Sequence, residues 1–122
     1  NVATINGESQ GLALGTGDAN VIIAAISADT VVKINRITVA NVDGSSAADV
    51  NIKVVKAAFT SAATGVSGNV GTLYLAKTIA VPADATLVLQ ETPIYLQTGD
   101  ALQGGASVAG DLEVFISYDV IA

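Results

Sequence analysis

The side chains that could do chemistry in this 122-residue sequence are few, and their types exclude most familiar reactions. There is no Cys and no His, so thiolate nucleophiles, disulfides, thiolate metal sites, the commonest general base and the imidazole metal ligand are all missing. Among the carboxylates, Asp18, Asp29, Asp43, Asp84 and Asp100 each sit in a turn context, where an Asp side chain caps the backbone locally. Asp43-Gly44-Ser45 with Asp49 is the nearest approach to a calcium loop, but it lacks the EF-hand spacing and the closing Glu. Glu113 and Asp119 share one face of a strand. At ~3.3 Å per residue they lie roughly 20 Å apart, beyond the ~5 to 9.5 Å of a glycosidase pair. No Ser occupies a Gly-x-Ser-x-Gly elbow. Gly15-Thr16-Gly17 and Gly104-Gly105 lack the Lys-Ser/Thr and the strand-to-helix setting of a phosphate loop, so they read as turn or bulge glycines. The expectation is a protein that is not an enzyme, with no catalytic residue, no cofactor and no metal.

Two groups remain as candidate binding residues. Tyr74, Tyr95 and Tyr118 suit either a sugar-binding groove or sheet packing with the hydroxyl at the surface, and packing is the favoured reading. Lys33, Arg36, Lys53 and Lys56 fall in two consecutive strands, 31 to 41 and 49 to 57, which a turn at Asp43-Gly44-Ser45-Ser46 joins as a hairpin. Side by side they form a basic stripe, which protects a sheet edge or meets an acidic neighbour such as another copy of the chain. The net charge is −6, which argues against nucleic acid as a partner.

The elements that position these residues are strands. Hydrophobic residues make up 51% and charged residues 13% of the chain, well under the ~25% charge of ordinary globular domains, which makes disorder improbable. Leu112, Val114, Ile116, Tyr118 and Val120 occupy one face with Glu113, Ser117 and Asp119 most of the other, Val50, Ile52 and Val54 alternate with Asn51 and Lys53, and this period of two marks strands with one buried face. Short β-branched runs between Gly, Asp, Asn and Ser recur about every ten residues, with further strands at 86 to 90, 94 to 96 and 101 to 108. From Val31 to Asn41 the alternation changes phase at Asn35-Arg36. A β-bulge there or a strand apolar on both faces would account for it, and the second is preferred. No stretch is apolar for long enough to form a membrane-spanning helix, and Asn1 to Gln10 have neither the basic nor the apolar region of a signal peptide. The expected fold is all-β, about eight strands over 21 to 122 that suit two packed antiparallel sheets or a small barrel, with an antiparallel β-sandwich the economical answer, preceded by an N-terminal arm at 1 to 20. A long loop is expected over 57 to 71.

The order Ile37-Thr38-Val39-Ala40-Asn41, Tyr74-Leu75-Ala76, Val81-Pro82-Ala83, Pro93-Ile94-Tyr95-Leu96, Gly99-Asp100-Ala101-Leu102 and the closing run from Leu112 to Ile121 resembles small β-sandwich virion proteins of tailed bacteriophages, cyanophage-like members above all. The resemblance spans roughly residues 31 to 121. It implies a jelly-roll structural subunit of the phage particle, most often a head decoration or cement protein, and otherwise a tail, neck or fibre component. A carbohydrate-binding receptor module is the alternative of another class. The implied partner is the major capsid coat protein at its junctions, with the chain itself a homo-oligomer, a trimer favoured, on the virion surface. Asn1, Val2, Ala3, Thr4 and Ile5 of the arm, with Lys33, Arg36, Lys53 and Lys56, are the candidate partner-binding residues. No nucleic acid or membrane is expected in contact with it.

Overall fold

The computed structural model describes residues 3–66 and 70–122, and every regular element in them is a strand. In chain order these are β1 (Ile5–Ala13), β2 (Asn20–Ile23), β3 (Val31–Asn41), β4 (Ala48–Lys56), β5 (Gly71–Val81), β6 (Thr86–Gln90), β7 (Ile94–Leu96), β8 (Ala101–Ala106) and β9 (Leu112–Ile121). All pair antiparallel. One sheet runs β1-β9-β3-β6, with β7 continuing the β6 edge on β3, and the other runs β2-β8-β4-β5.

Four nested pairings generate this arrangement: β1 with β9, β2 with β8, β3 with β6 and β7, and β4 with β5. They amount to one long hairpin. Rolling it up brings β9 beside β3 and β8 beside β4, which completes two facing sheets in the jelly-roll order. Pro93, between β6 and β7, has no N–H to give to the ladder, so the strand beside β3 is interrupted there.

The alternation read from the sequence becomes the core. Ile34, Ile37 and Val39 of β3, Val50 and Ile52 of β4, Leu102 of β8, and Leu112, Val114 and Ile116 of β9 are all essentially fully buried between the sheets. Each such side chain contributes ~1.5–3 kcal/mol relative to exposure. The change of phase in β3 is a bulge: its register against β9 shifts between Ile34 and Arg36, and the strand keeps one buried face. This corrects the preference for a strand apolar on both sides. Inserting one residue lets the core face continue through Ile34 and Ile37 while Lys33 and Arg36 stay outside.

Two other expectations change. β3 and β4 do not form a hairpin, because the segment 42 to 47 carries the chain from one sheet to the other. Asn41 is the joint. Buried at the end of β3, it donates through Nδ2 to the Val81 carbonyl at 2.9 Å and to the Ser46 carbonyl at 3.0 Å, and its Oδ1 accepts from the Asp43 N–H at 2.9 Å. Nor is the stretch to Asn20 a free arm, since Ile5–Ala13 pairs with β9 along its whole length as the ninth strand, and Leu14 is fully buried. Its polar sequence hid it: every residue of β1 is exposed, so no apolar alternation was needed. Asn1 and Val2 lie outside the described residues. Of the expected long loop, residues 57–66 and 70 belong to no strand, 67–69 lie outside the described residues, and Gly71 already begins β5.

Candidate protein interface

The basic residues divide between the sheets. Lys33 and Arg36 project from the outer face of the β1-β9-β3-β6 sheet, whereas Lys53 and Lys56 belong to β4 of the other, so the single basic stripe does not form. Lys53 and Lys56 are joined to carboxylates of their own chain. Lys53 Nζ meets Asp18 Oδ1 at 3.2 Å, and Asp18 also accepts from the Tyr74 hydroxyl. That Tyr74 hydrogen bond, followed by the one from Lys53, holds the Asp18 carboxyl below the usual range, and the same contact pushes the Tyr74 phenol up. Gly105 makes the approach possible, for a Cβ there would overlap the Gly17 carbonyl oxygen of the loop carrying Asp18.

Lys56 Nζ reaches Asp100 Oδ2 at 2.7 Å. Asp100, almost completely buried, also accepts from the backbone N–H groups of Gln97 and Ala57, each at 2.9 Å. Burial pushes its carboxyl up, but Lys56 and the two N–H donors outweigh that and hold it below the ordinary value. Gly99 beside it has φ +87°, and a Cβ there would lie 2.7 Å from the Ala57 Cβ. The Gly99-Asp100 pair is therefore a structural joint between the 97–100 turn and the end of β4. Sequence context marks Asp100 only as a turn cap. Its pairing with Lys56 has no local signal, because the two meet only through the tertiary fold.

Asp43 accepts from the Ser45 N–H at 2.9 Å and from its hydroxyl at 3.0 Å, and these bonds lower its pKa. Its acidic neighbour is Asp111, whose carboxyl is pushed up by burial and then by Asp43. Asp49 belongs to β4, where its N–H donates to the Ser107 hydroxyl oxygen at 2.8 Å. Among the described residues no group of three or more His, Cys, Asp or Glu is placed to hold a metal ion.

The three tyrosines occupy three separate places, so they line no common groove. Tyr74 lies on the outside of the β2-β8-β4-β5 sheet beside Lys53, and Tyr95 stands 59% exposed on the other sheet. Tyr118 is buried between the sheets, its hydroxyl 3.1 Å from Glu8 Oε1 and 3.3 Å from Gln10 Oε1. Burial, then Glu8, raises its pKa. Gln10 in turn donates to the Ile22 carbonyl of β2. Polar side chains thus close the β1/β2 side of the sandwich.

The opposite side is apolar and open. Leu73 and Ile79 of β5 pair with Val54 and Val50, whose side chains are buried, yet they themselves stay 55% and 41% exposed. They face the side where Leu87 and Leu89 of β6 are only partly covered. Phe115 is a third exposed apolar feature, projecting from the middle of β9 with a shallow groove of about 390 Å³ on one flank, floored by Gly11, Ala13 and Ala40. Sequence reasoning misses these surfaces, because Leu73, Ile79 and Phe115 read as ordinary strand residues.

No protein-family model and no curated protein sequence matches the chain. In fold it is similar to a protein of the Bacillus endospore appendages, described as disulfide-linked pili, at 12% identity over 98% of this chain and 86% of that one, with a TM-score of 0.46. It is also similar to part of a subviral-particle protein of infectious bursal disease virus, at 14% identity over 98% of this chain and 32% of that one, with a TM-score of 0.38. Both likenesses are loose; the fold assignment rests on the strand pairings themselves.

Proposed function

We propose that this protein is a non-enzymatic structural subunit of a tailed-phage virion, a head decoration or cement protein that binds coat-protein junctions. The observation that carries the reading is the distribution of apolar surface. Leu73, Ile79, Tyr95 and Phe115 are exposed on strands of the jelly roll, where free solution would favour polar residues and a lasting protein contact favours these. Supporting it, the residues behind the sequence resemblance have architectural roles: Asn41 ties the sheet crossover to Val81, and Asp100 ties a turn to β4. A cement protein needs nothing else from them. It acts mechanically, adding contact area across neighbouring coat subunits so that rupture of the shell must break more of it.

The test is the copy number of the chain per native particle, by quantitative mass spectrometry. A number commensurate with the coat subunits is expected. A small count matching a portal or tail would move the protein to the neck, tail or fibre, and absence from particles would overturn the reading. Particles lacking the chain should also burst at lower temperature than complete ones; equal robustness would remove the cement role.

A further inference from the structure

We infer that the outer face of the β1-β9-β3-β6 sheet is a pairing surface for a second copy of this chain, related by a two-fold axis parallel to the strands. The pattern that points to it is charge. Outward charges on β3 are all basic, Lys33 and Arg36, and outward charges on the adjacent β9 are all acidic, Glu113 and Asp119. Among the described residues the ion pairs are Lys53–Asp18 and Lys56–Asp100, so none of these four takes part in one. Asp119 accepts a hydrogen bond from the neutral Asn35 amide at 3.3 Å, and although Lys33 is its cross-strand neighbour, the two form no ion pair among the described residues.

A two-fold axis lying in the contact plane between β3 and β9 exchanges the two strands while keeping each row in place. Lys33, in register with Asp119 of its own chain, then stands over the same aspartate of the second copy, and the reverse contact follows by symmetry. Arg36 lies over Ser117, one row from Asp119. A two-fold axis across the strands would instead stack β3 on β3, base over base, and β9 on β9, acid over acid. Charge selects the first arrangement.

Side-chain size agrees with it independently. The axis places β1 of one copy over β6 and β7 of the other. β1 presents Gly7 in the row of Asp119 and Gly11 in the row of Phe115, while β7 presents Tyr95 in the row of Lys33 and β6 presents Val88 in the row of Thr38. Exposed Tyr95 therefore falls on Gly7, and Val88 falls on the Phe115 ring that leans over Gly11. The Phe115 backbone position comes over Thr38, so its ring, leaning toward β1, falls between Thr38 and Val88 of the second copy. Four strands ~4.8 Å apart and about ten residues long present roughly 600 Å² in projection, near the ~800 Å² per partner of a standard interface.

The pairing does not depend on the virion reading, and it is tested on the purified full-length chain, with no particle present. Sedimentation equilibrium of the wild type from micromolar to hundreds of micromolar should give twice the chain mass, with association weakening as salt is raised. Lys33→Glu and Asp119→Lys should each weaken pairing by about tenfold or more, since each sets like charges opposite one another in the homodimer. Mixing the two variants should restore it, because the two substituted side chains then face one another with opposite charge, and the unsubstituted Lys33 and Asp119 meet at the symmetry-related position. Only a contact between copies can give that rescue. Phe115→Ser should also yield a folded monomer by circular dichroism. A wild-type monomer throughout, a trimer, single variants that pair as tightly as wild type, or a mixture that fails to associate would each overturn the inference.

Discussion

At the scale of single residues, the groups that looked most chemical are the joints of the fold. Asp100→Asn removes the charge facing Lys56 and should lower unfolding free energy by about 3 kcal/mol in urea melts, toward the lower end for breaking a buried pair because Lys56 keeps some water. The pH dependence follows from the direction of its shift. A carboxyl held below its unfolded value stabilises the protein above about pH 4 and loses that contribution as pH falls through the folded value. Wild type should therefore lose stability steeply in acid, and Asp100→Asn should flatten that slope; an unchanged slope would mean that another carboxylate controls acid unfolding. Tyr74 and Tyr118 act at the other end of the scale: their raised pKa values stabilise below about pH 10, and that part is lost as pH rises through the folded values. Gly105→Ala places a methyl group against the Gly17 carbonyl. It should cost about 1–3 kcal/mol by forcing the 15–18 loop off the sheet, with loss of the Lys53–Asp18 contact visible as a change in the Tyr74 phenol titration.

At the scale of elements, β1 is the informative case. It buries nothing of its own, yet its backbone completes the β9 ladder and its Glu8 and Gln10 close one side of the sandwich. A truncation that begins at Leu14 keeps that buried residue and should leave a folded but less stable protein whose newly bare β9 edge promotes association. A truncated chain that keeps wild-type stability and does not aggregate would show that β1 adds nothing to the fold. The strand was not legible because sequence periodicity reports burial, and β1 has none. β3, β4 and β9 were legible for the opposite reason, their inner faces being continuously apolar. The bulge at Asn35 was visible as a phase change, but choosing it over a doubly covered strand needed the neighbouring register of β9.

At the scale of the whole molecule, one side of the sandwich is polar and closed and the other apolar and open. Substituting Leu73 and Ile79 together by Thr should change the melting temperature only modestly, as about half of each is exposed, while reducing occupancy on particles. A large drop in stability instead would make them core residues and weaken the case for a contact surface there. Composition and periodicity alone determined that the chain is all-β, that its charge and missing Cys and His narrow its chemistry, and which strand faces are buried, because each is a property of neighbouring residues along the chain. The tertiary structure alone decided that β3 and β4 lie in different sheets, that Lys56 finds Asp100, and that a basic strand lies beside an acidic one. Those relations join residues distant in sequence, and they follow from how the long hairpin rolls up, which no local pattern encodes.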